Sequence, residues 1–279
     1  MAPDHPGTLL ELGAALYDID AFDDALAVLR QAERLKPDDP MVHSQLGAVL
    51  SAQDQLAAAL AEYRQALVLD PASAQVKSNL AVALRDSGDL AGAMALLQEV
   101  IAMGSDYAPA HNNLGTIHSE LGRFNAAEVC FRRAIELSGD VPQHHANLGM
   151  ALLRRGQWQE GWLEYEWRLT LKQSESRSFN QPRWEGDDLC GRRILIYWEQ
   201  GFGDAIQFLR YVPMVIARGG RVVLEMPPEL LRLVQGTFEV ERLVRRGDDP
   251  GEFDVCSPLM SLPGLFRTNL ADIPADVPY

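Results

Sequence analysis

The sequence is poor in cysteine and in long apolar runs, and each shortage excludes a class of protein. Among 279 residues there are three cysteines, widely separated and without a Cys-x-x-Cys pair, which excludes a disulfide scaffold and a cysteine-built zinc site. No run approaches about 18 apolar residues, so no membrane-spanning helix is expected. The N-terminus lacks the basic and apolar segments of a secretory signal. These absences together favour a cytoplasmic protein.

Positive charge is also scarce. Lysine and arginine number 25 against 39 aspartates and glutamates, a net charge of −14 at pH 7, and lysine occurs only at positions 36, 77 and 172. A nucleic-acid backbone demands a basic surface, so nucleic acid is not expected as a partner. The hydrophobic share of 47% is ample for one large domain or two ordinary ones.

The first half of the sequence repeats with a period of 34 residues. Small residues recur at two fixed positions, which lets two helices approach closely, and large apolar residues recur between them. Two small sets are Gly13, Gly47, Ala81, Gly115, Gly149 and Ala25, Ala59, Ala93, Ala127, Gly161; two large sets are Leu12, Leu46, Leu80, Leu114, Leu148 and Leu29, Tyr63, Leu97, Phe131, Tyr165.

This periodicity is the helix–turn–helix pattern of the tetratricopeptide repeat (TPR). Residues 1–170 are predicted to form an α-solenoid, a TPR superhelix of about four full repeats and a capping helix pair. The last unit is aromatic where a solenoid end is normally polar. Trp158, Trp162 and Trp167 are therefore predicted to pack at the junction with the second half of the chain.

Three histidines share one repeat position: His43, His111 and His145. Metal ligands must converge on a point, whereas residues one repeat apart are spread along a solenoid. We therefore interpret these histidines as packing residues between helices, and no metal site is predicted.

Three asparagines also share a repeat position: Asn79, Asn113 and Asn147. The first helix of each repeat lines the groove, where a carboxamide can donate to and accept from one peptide unit of an extended ligand. The pattern therefore suggests a protein or extended peptide bound in the groove. The alternative is that these amides cap or bridge neighbouring helices. Glu11 and Gln45 stand at this position in the first two repeats, so a ladder would cover only part of the groove.

The second half changes period. An irregular linker is expected over 171–191, and an α/β Rossmann-like half-domain over 192–279. Apolar runs predict strands at 193–198, 221–225, 240–244 and 253–256, with helices after the first two. Strands that alternate with helices in this way are typical of a parallel sheet.

The loop at 199–204 is the candidate site of chemistry, because ligands of such sheets bind beyond the carboxyl ends of the strands. Gly201 and Gly203 permit close approach of a backbone, and Gln200 and Gln207 are further candidates for contact with a phosphate or an acceptor. The third glycine of a dinucleotide fingerprint is replaced by Ile206, which argues against a nicotinamide or flavin site. Asp204 has two interpretations. It is either the N-cap of a capping box with Gln207 or a carboxylate that removes a proton from an acceptor hydroxyl.

Several motifs from residue 161 onward resemble the bacterial TPR glycosyltransferase-like proteins, which are related to the O-linked N-acetylglucosamine transferases. They are Gly161-Trp162, Tyr165-Glu166-Trp167-Arg168, Pro182-x-Trp184-x-Gly186, the run Trp198–Tyr211, Phe253–Leu259, Ser261-Leu262-Pro263 and the tail Ile273–Tyr279. The asparagine ladder is similar to that of the same transferases.

The resemblance implies a GT-B fold whose first half is similar to that of the heptosyltransferases, with Asp204 at the position of the proposed base. It also implies that a sugar nucleotide binds to a second half, for which no sequence remains after Tyr279. We therefore expect a peptide-binding TPR module joined to an acceptor-side half-domain that is not catalytic by itself and holds no cofactor. Two alternatives stay open: a protein glycosyltransferase that is completed elsewhere, and a structural scaffold. The oligomeric state is not readable.

Overall fold

The computed structural model describes residues 5–104, 106–171 and 179–275. The described chain forms two compact units that divide between Asp140 and Val141. We call residues 5–140 the solenoid unit and the residues from 141 onward the sheet unit. None of the helices in the described ranges has both the length and the apolar character needed to cross a membrane.

The solenoid unit consists of four helix pairs, as the 34-residue period predicts. Short turns join the two helices of each pair, and the pairs stack in chain order. The helices are α1 Pro6–Asp18, α2 Phe22–Leu35, α3 Pro40–Ala52, α4 Leu56–Leu69, α5 Ala74–Asp86, α6 Leu90–Ala102, α7 Ala108–Glu120 and α8 Phe124–Ser138.

Small residues let the two helices of a pair approach until a large side chain lies against the partner backbone. A Cβ atom added to Gly47 would come within 2.7 Å of the Tyr63 ring, and one added to Gly115 within 2.6 Å of the Phe131 ring. Carbon atoms pack best at about 3.5–4.0 Å, so no larger residue fits without displacement. The close approach predicted from the register of small residues is confirmed.

The turn inside each pair holds one residue in the left-handed conformation, always at the same repeat position. Asp20 and Asp54 have φ angles of 59° and 61°, and Gly88 and Gly122 have 90° and 70°. Glycine adopts this conformation without a steric penalty, and aspartate tolerates it. The turn geometry therefore repeats although the residue type changes.

The sheet unit begins with a fifth helix pair, α9 Pro142–Arg154 and α10 Trp158–Tyr165, followed by a 3₁₀ turn at Glu166–Thr170. The repeat pattern predicts a domain boundary after residue 170, at the end of the last repeat. The contacts in the structure instead group this fifth helix pair with the sheet. The reason is that Trp162 of α10 packs edge-on against Phe208 of the sheet unit, with ring centroids 6.2 Å apart. The prediction that a tryptophan of this helix packs against the second half of the chain is confirmed for Trp162.

Trp167 differs from that prediction. Its ring stacks on His145 of α9 at 4.4 Å between centroids, so it packs within the helix pair rather than on the sheet. Trp158 contacts Trp162 at 6.5 Å and stays half-buried.

Four parallel strands form one small sheet in the order β3-β2-β1-β4. They are β1 Arg193–Tyr197, β2 Arg221–Met226, β3 Arg242–Arg245 and β4 Val255–Pro258. Each of the four predicted strands is present, and no bound is shifted by more than two residues. Because the chain moves outward from β1 through β2 to β3 and then returns to the other side of β1, the connections diverge between β1 and β4.

Both faces of the sheet are covered. Along β1, Ile194 and Ile196 point into the main core, while Leu195 and Tyr197 point to a smaller cluster that includes Phe253. Burial on both faces explains why the strands are continuous apolar runs instead of alternating ones.

Short helices connect and flank the strands: α11 Phe202–Phe208, α12 Val212–Ala217, α13 Leu231–Val234 and α14 Leu262–Leu265. The single helix predicted after β1 is divided by a 3₁₀ turn at Leu209–Tyr211. Pro213 explains the break, because it has no N–H to donate to the carbonyl four residues earlier. Residues 179–191 are irregular. Residues 172–178 of the predicted linker and residues 276–279 of the tail lie outside the described residues.

Candidate functional site

The loop after β1 lies where the connections diverge, at the carboxyl ends of β1 and β4. Open parallel sheets bind their ligands in the crevice at such a place. Gly201 adopts a φ of 61° there, and the indole Nε1 of Trp198 donates to its carbonyl at 3.3 Å. A side chain at Gly201 would meet the Asp204 carboxylate at 2.7 Å, whereas Gly203 has open space around it. The loop is thus folded tightly at Gly201.

Asp204 is not the N-cap of the following helix. Helix α11 starts at Phe202 with Gly201 as its N-cap, so Asp204 is the third helical residue and the predicted capping box with Gln207 is wrong. The reason is that Gly201, with its positive φ, starts the helix earlier than the side-chain pattern suggests. Asp204 is half-buried in the first turn, where the helix dipole favours a carboxylate. Its proposed role as a base is left untested by this geometry.

Tyr165, the last residue of α10, lies beside this loop. The side chains of Gln200, Glu199 and Asp204 all act on the electrostatic environment of its hydroxyl. Burial is the main cause that raises the pKa of Tyr165 above its ordinary value, so its hydroxyl stays protonated at neutral pH. Gln200 and Asp204, both identified from sequence, therefore lie near one phenol that the sequence assigned only to helix packing. Gln207 is exposed on α11.

Arg168 is the centre of a buried polar network that no sequence pattern assigned a role. Its Nη2 donates to Oε2 of Glu199 at 3.0 Å and to Oγ of Ser261 at 2.9 Å, and its Nη1 donates to Oε1 of Glu166 at 2.8 Å. The guanidinium also lies 4.7 Å from the centroid of the Tyr165 ring. Arg168 is only 7% exposed, so the Nη atoms of its guanidinium rely on these contacts in place of water.

The two carboxylates of the network differ in their environment. Burial raises the pKa of Glu199 above its usual range despite its contact with Arg168. Burial also acts on Glu166, but Arg168, Arg183 and the Ser261 hydroxyl together hold the pKa of Glu166 below its usual range. Glu199 in addition accepts from the backbone N–H of Met260, directly after β4, at 3.2 Å. Glu199 therefore joins the ends of β1 and β4.

A cleft of about 370 Å³ opens beside this network. Trp162 and Leu163 of α10 form one wall, Leu265 of α14 forms another, and Glu166 and Ser261 provide polar groups. Its volume and its mainly apolar lining are those of a small-ligand pocket. The arrangement can hold an apolar group next to hydrogen-bonding partners.

The asparagines of the predicted ladder lie on the first helices of their pairs. Asn113 of α7 donates from Nδ2 to Oγ of Ser78 on α5 at 3.1 Å, which is the bridging role of the alternative interpretation. Asn147, in the sheet unit, accepts from Gln143 on its own helix at 2.9 Å. Asn79 of α5 is half-buried. These contacts leave peptide binding by the three residues as a prediction.

At three repeats, the histidine position holds a buried ionisable group that pairs with a carboxylate on the second helix of the same pair, whereas His111 on α7 is half-buried. His43 Nδ1 lies 2.7 Å from Glu62 Oε2, and the equivalent atoms of His145 and Glu164 are 2.6 Å apart. At the same position Lys77 pairs with Glu99. Packing between helices is confirmed for these residues, with an ionic component that the sequence interpretation missed although the acidic partners are visible in it.

One group in the described residues has metal-ligand chemistry, formed by Glu33, His43 and Glu62. Arg30 donates to Glu33 at 3.0 Å and to Glu62 at 2.7 Å, and His43 Nε2 lies 2.8 Å from the carbonyl of Pro37. Together with the pairing of His43 and Glu62, these contacts engage both ring nitrogens of His43, both oxygens of Glu62 and one oxygen of Glu33, so we interpret the group as an ion-pair network.

Comparison with known proteins identifies the repeats. Models described as tetratricopeptide repeat match residues 45–108, 108–140 and 142–161, and one described as TPR repeat matches residues 13–54. Protein FlbA of Caulobacter vibrioides (strain ATCC 19089 / CIP 103742 / CB 15) is 38% identical over 92 residues, which are 31% of this chain and 15% of FlbA. The chain thus matches a small part of that relative.

Several solved structures share the fold. They include the thermophilic TPR protein TTC0263 of Thermus thermophilus (24% identity, TM-score 0.55, covering 61% of this chain and 93% of that one). They also include PilW, a type IV pilus biogenesis factor (19%, 0.55, 61% and 80%), and pilF of Pseudomonas aeruginosa (18%, 0.55, 83% and 92%). The protein is a TPR protein, and its small parallel sheet at 193–258 lies outside the residues matched by the four repeat models.

Proposed function

We propose that this TPR protein binds a partner protein through an extended segment that contacts the first helices of its repeats. The observation that supports this most is the asparagine at one repeat position of α5, α7 and α9. Within the solenoid unit, α1, α3, α5 and α7 contact one another in sequence, so Asn79 and Asn113 lie on neighbouring helices.

The bridging contact of Asn113 is compatible with binding. A carboxamide carries two N–H donors and a carbonyl with two lone pairs, and the bond to Ser78 uses one N–H. The remaining donor and the carbonyl can pair with one peptide unit of a ligand. The same residue can therefore orient itself on Ser78 and read the backbone of a partner.

The test starts from peptides selected on the full chain from a random phage-displayed library. Replacing Asn79, Asn113 and Asn147 together by alanine should weaken such a peptide at least tenfold, because each lost hydrogen bond contributes about 0.5–1.5 kcal/mol. The matched control is Asn125→Ala, an exposed asparagine on α8, the second helix of its pair. Circular dichroism should show all variants folded. Equal affinity of the triple variant and the control would exclude the ladder, and loss of folding would support the bridging role alone.

A second candidate function concerns the sheet unit. We propose that it is Rossmann-like and resembles the acceptor-side half of a glycosyltransferase, with Asp204 as the candidate base. This is supported by the parallel order β3-β2-β1-β4 and by the half-buried position of Asp204 where the connections diverge. We also place the protein in the cytoplasm, a proposal supported by its free cysteines Cys130, Cys190 and Cys256.

A further inference from the structure

The first helix exposes a leucine that is buried at the same repeat position in each later pair of the solenoid unit. Leu12 on α1 is 46% exposed, whereas Leu46, Leu80 and Leu114 are 0%, 5% and 7% exposed. All four residues stand 34 positions apart. Leu12 therefore keeps the residue type of an interhelix contact without the contact.

Neighbouring positions on α1 follow the same rule. Ala15 is exposed, whereas its equivalents Val49, Ala83 and Ile117 are each 1% exposed. Thr8, Leu12 and Ala15 are spaced i, i+4 and i+7, which places them on one side of a helix. We call these three residues the α1 face.

The later repeats show which side chains pack on the equivalent face. On α3, the equivalent residues Val42, Leu46 and Val49 pack into one core with side chains of the preceding helix pair, which include Leu29 and Ala32 of α2. The repeat therefore uses this face to accept a helix of the α2 type. By the same geometry, the α1 face is shaped for a helix.

The charge around the α1 face indicates the kind of helix. Between residues 5 and 29 the chain has no lysine or arginine, and it has five acidic residues, all exposed: Glu11, Asp18, Asp20, Asp23 and Asp24. A second copy of the chain would bring the same negative charge to the contact. A helix with basic flanks would meet opposite charge.

We propose that the α1 face binds an amphipathic helix of a partner protein whose apolar stripe is flanked by lysine or arginine. On α1 the asparagine position is occupied by Glu11, beside this face, whereas Asn79 and Asn113 lie on α5 and α7. Binding at the α1 face depends on Leu12 and not on Asn79 or Asn113, so the two proposals fail independently.

The probe is a fluorescent synthetic peptide of the α2 sequence, Phe22–Leu35, with Asp23→Lys and Asp24→Lys, held helical by a staple on its polar side. The comparison peptide carries the unchanged α2 sequence. With the full chain, fluorescence anisotropy should give saturable binding of the basic peptide, at least tenfold weaker binding of the unchanged one, and weaker binding of the basic peptide at high salt. Absence of saturable binding of the basic peptide would overturn the proposal.

Three variants locate the contact. Leu12→Glu and, independently, Ala15→Glu should each lower the affinity for the basic peptide at least tenfold, because each buries a charge in an apolar contact. The matched control is Val68→Glu, which replaces an apolar residue of α4 that is 73% exposed and should bind as the parent does. The Ala15 variant keeps the test valid if the Leu12 variant fails to fold.

Two results contradict the proposal. One is equal affinity of the control and both α1-face variants. The other is a dimer of the parent chain in sedimentation equilibrium that Leu12→Glu dissociates, which would assign the α1 face to a second copy.

Discussion

Arg168, from the 3₁₀ turn that ends the last repeat, donates to Glu199, from the loop after β1, at 3.0 Å. Arg168 is buried and Glu199 is mostly buried, and Glu166 and Ser261 complete the contact. The relationship joins the end of the repeat sequence to the candidate ligand loop.

Replacement of Arg168 by methionine should destabilise the sheet unit by about 3 kcal/mol, because it leaves the mostly buried Glu199 carboxylate without its cation, while Glu166 keeps its ion pair with Arg183. Urea unfolding followed by tryptophan fluorescence measures this. The double variant Arg168→Met with Glu199→Gln should recover part of the loss, since it removes the uncompensated charge. A loss below about 1 kcal/mol in the single variant would show that the network does not stabilise the fold.

Trp162→Ala should lower the free energy of unfolding by about 3 kcal/mol, the low end for truncation of a large aromatic residue, because Trp162 is only half-buried. The contact with Phe208 is the main loss. Trp158→Ala is the control and should cost less, since Trp158 lies at the edge of the same cluster. An unchanged melting curve for Trp162→Ala would contradict the packing role.

Two substitutions at the shared left-handed turn position should change stability in opposite directions. Gly88→Ala should destabilise the solenoid unit by about 1–2 kcal/mol, because an L-residue at a φ of 90° is strained. Asp54→Gly should be neutral or stabilising, since it removes the side chain from a left-handed position. Thermal unfolding of both variants checks the signs. Equal effects in the same direction would contradict the conformational explanation.

The stability of the solenoid unit should depend on the charge of His43. Burial alone would lower the pKa of His43, but its hydrogen bonds with Glu62 and the Pro37 carbonyl raise it above 6.5 in the folded state. The stabilisation is therefore complete below the unfolded pKa and is lost as pH rises through the folded one.

Urea unfolding of parent and His43→Gln across this pH range measures the difference, which should shrink as pH rises. His111 is the control with the opposite sign, because burial and Arg133 lower its pKa. Its contribution is present above 6.5 and is lost as pH falls through the folded pKa. A parent–His43→Gln difference that does not change with pH would show that His43 carries no charge there.

Sugar nucleotides should not bind tightly to this chain. Arg168, a cation beside the candidate loop, is already paired with Glu166 and Glu199, so it is not available to a diphosphate. Calorimetric titration with uridine, guanosine and adenosine diphosphate sugars should show no saturable heat at millimolar ligand. Sugar transfer by the chain, lost in Asp204→Asn and kept in Gln207→Ala, would overturn this prediction and support the enzyme interpretation.

The sequence alone determined the repeats and the strands, because both depend on local periodicity. The positions of Gly47 and Tyr63 recur with the 34-residue period as Gly115 and Phe131. In both pairs the glycine lies against the aromatic ring in space. The apolar run before Tyr197 is a strand for the same local reason. The sequence also identified Gln200, Gly201 and Asp204 as one loop, since they are adjacent in the chain.

Only the tertiary structure decided which distant residues complete that loop. Arg168 and Glu199 are 31 positions apart, and Arg168 and Ser261 are 93 apart. No period relates them, so no local pattern predicts that a repeat arginine lies at the ends of β1 and β4. The tertiary structure also decided the environment of Leu12. Its residue type and repeat position predict a buried contact, yet it is 46% exposed. Its exposure follows from its place on the first helix, where no earlier helix pair of the described chain packs on it.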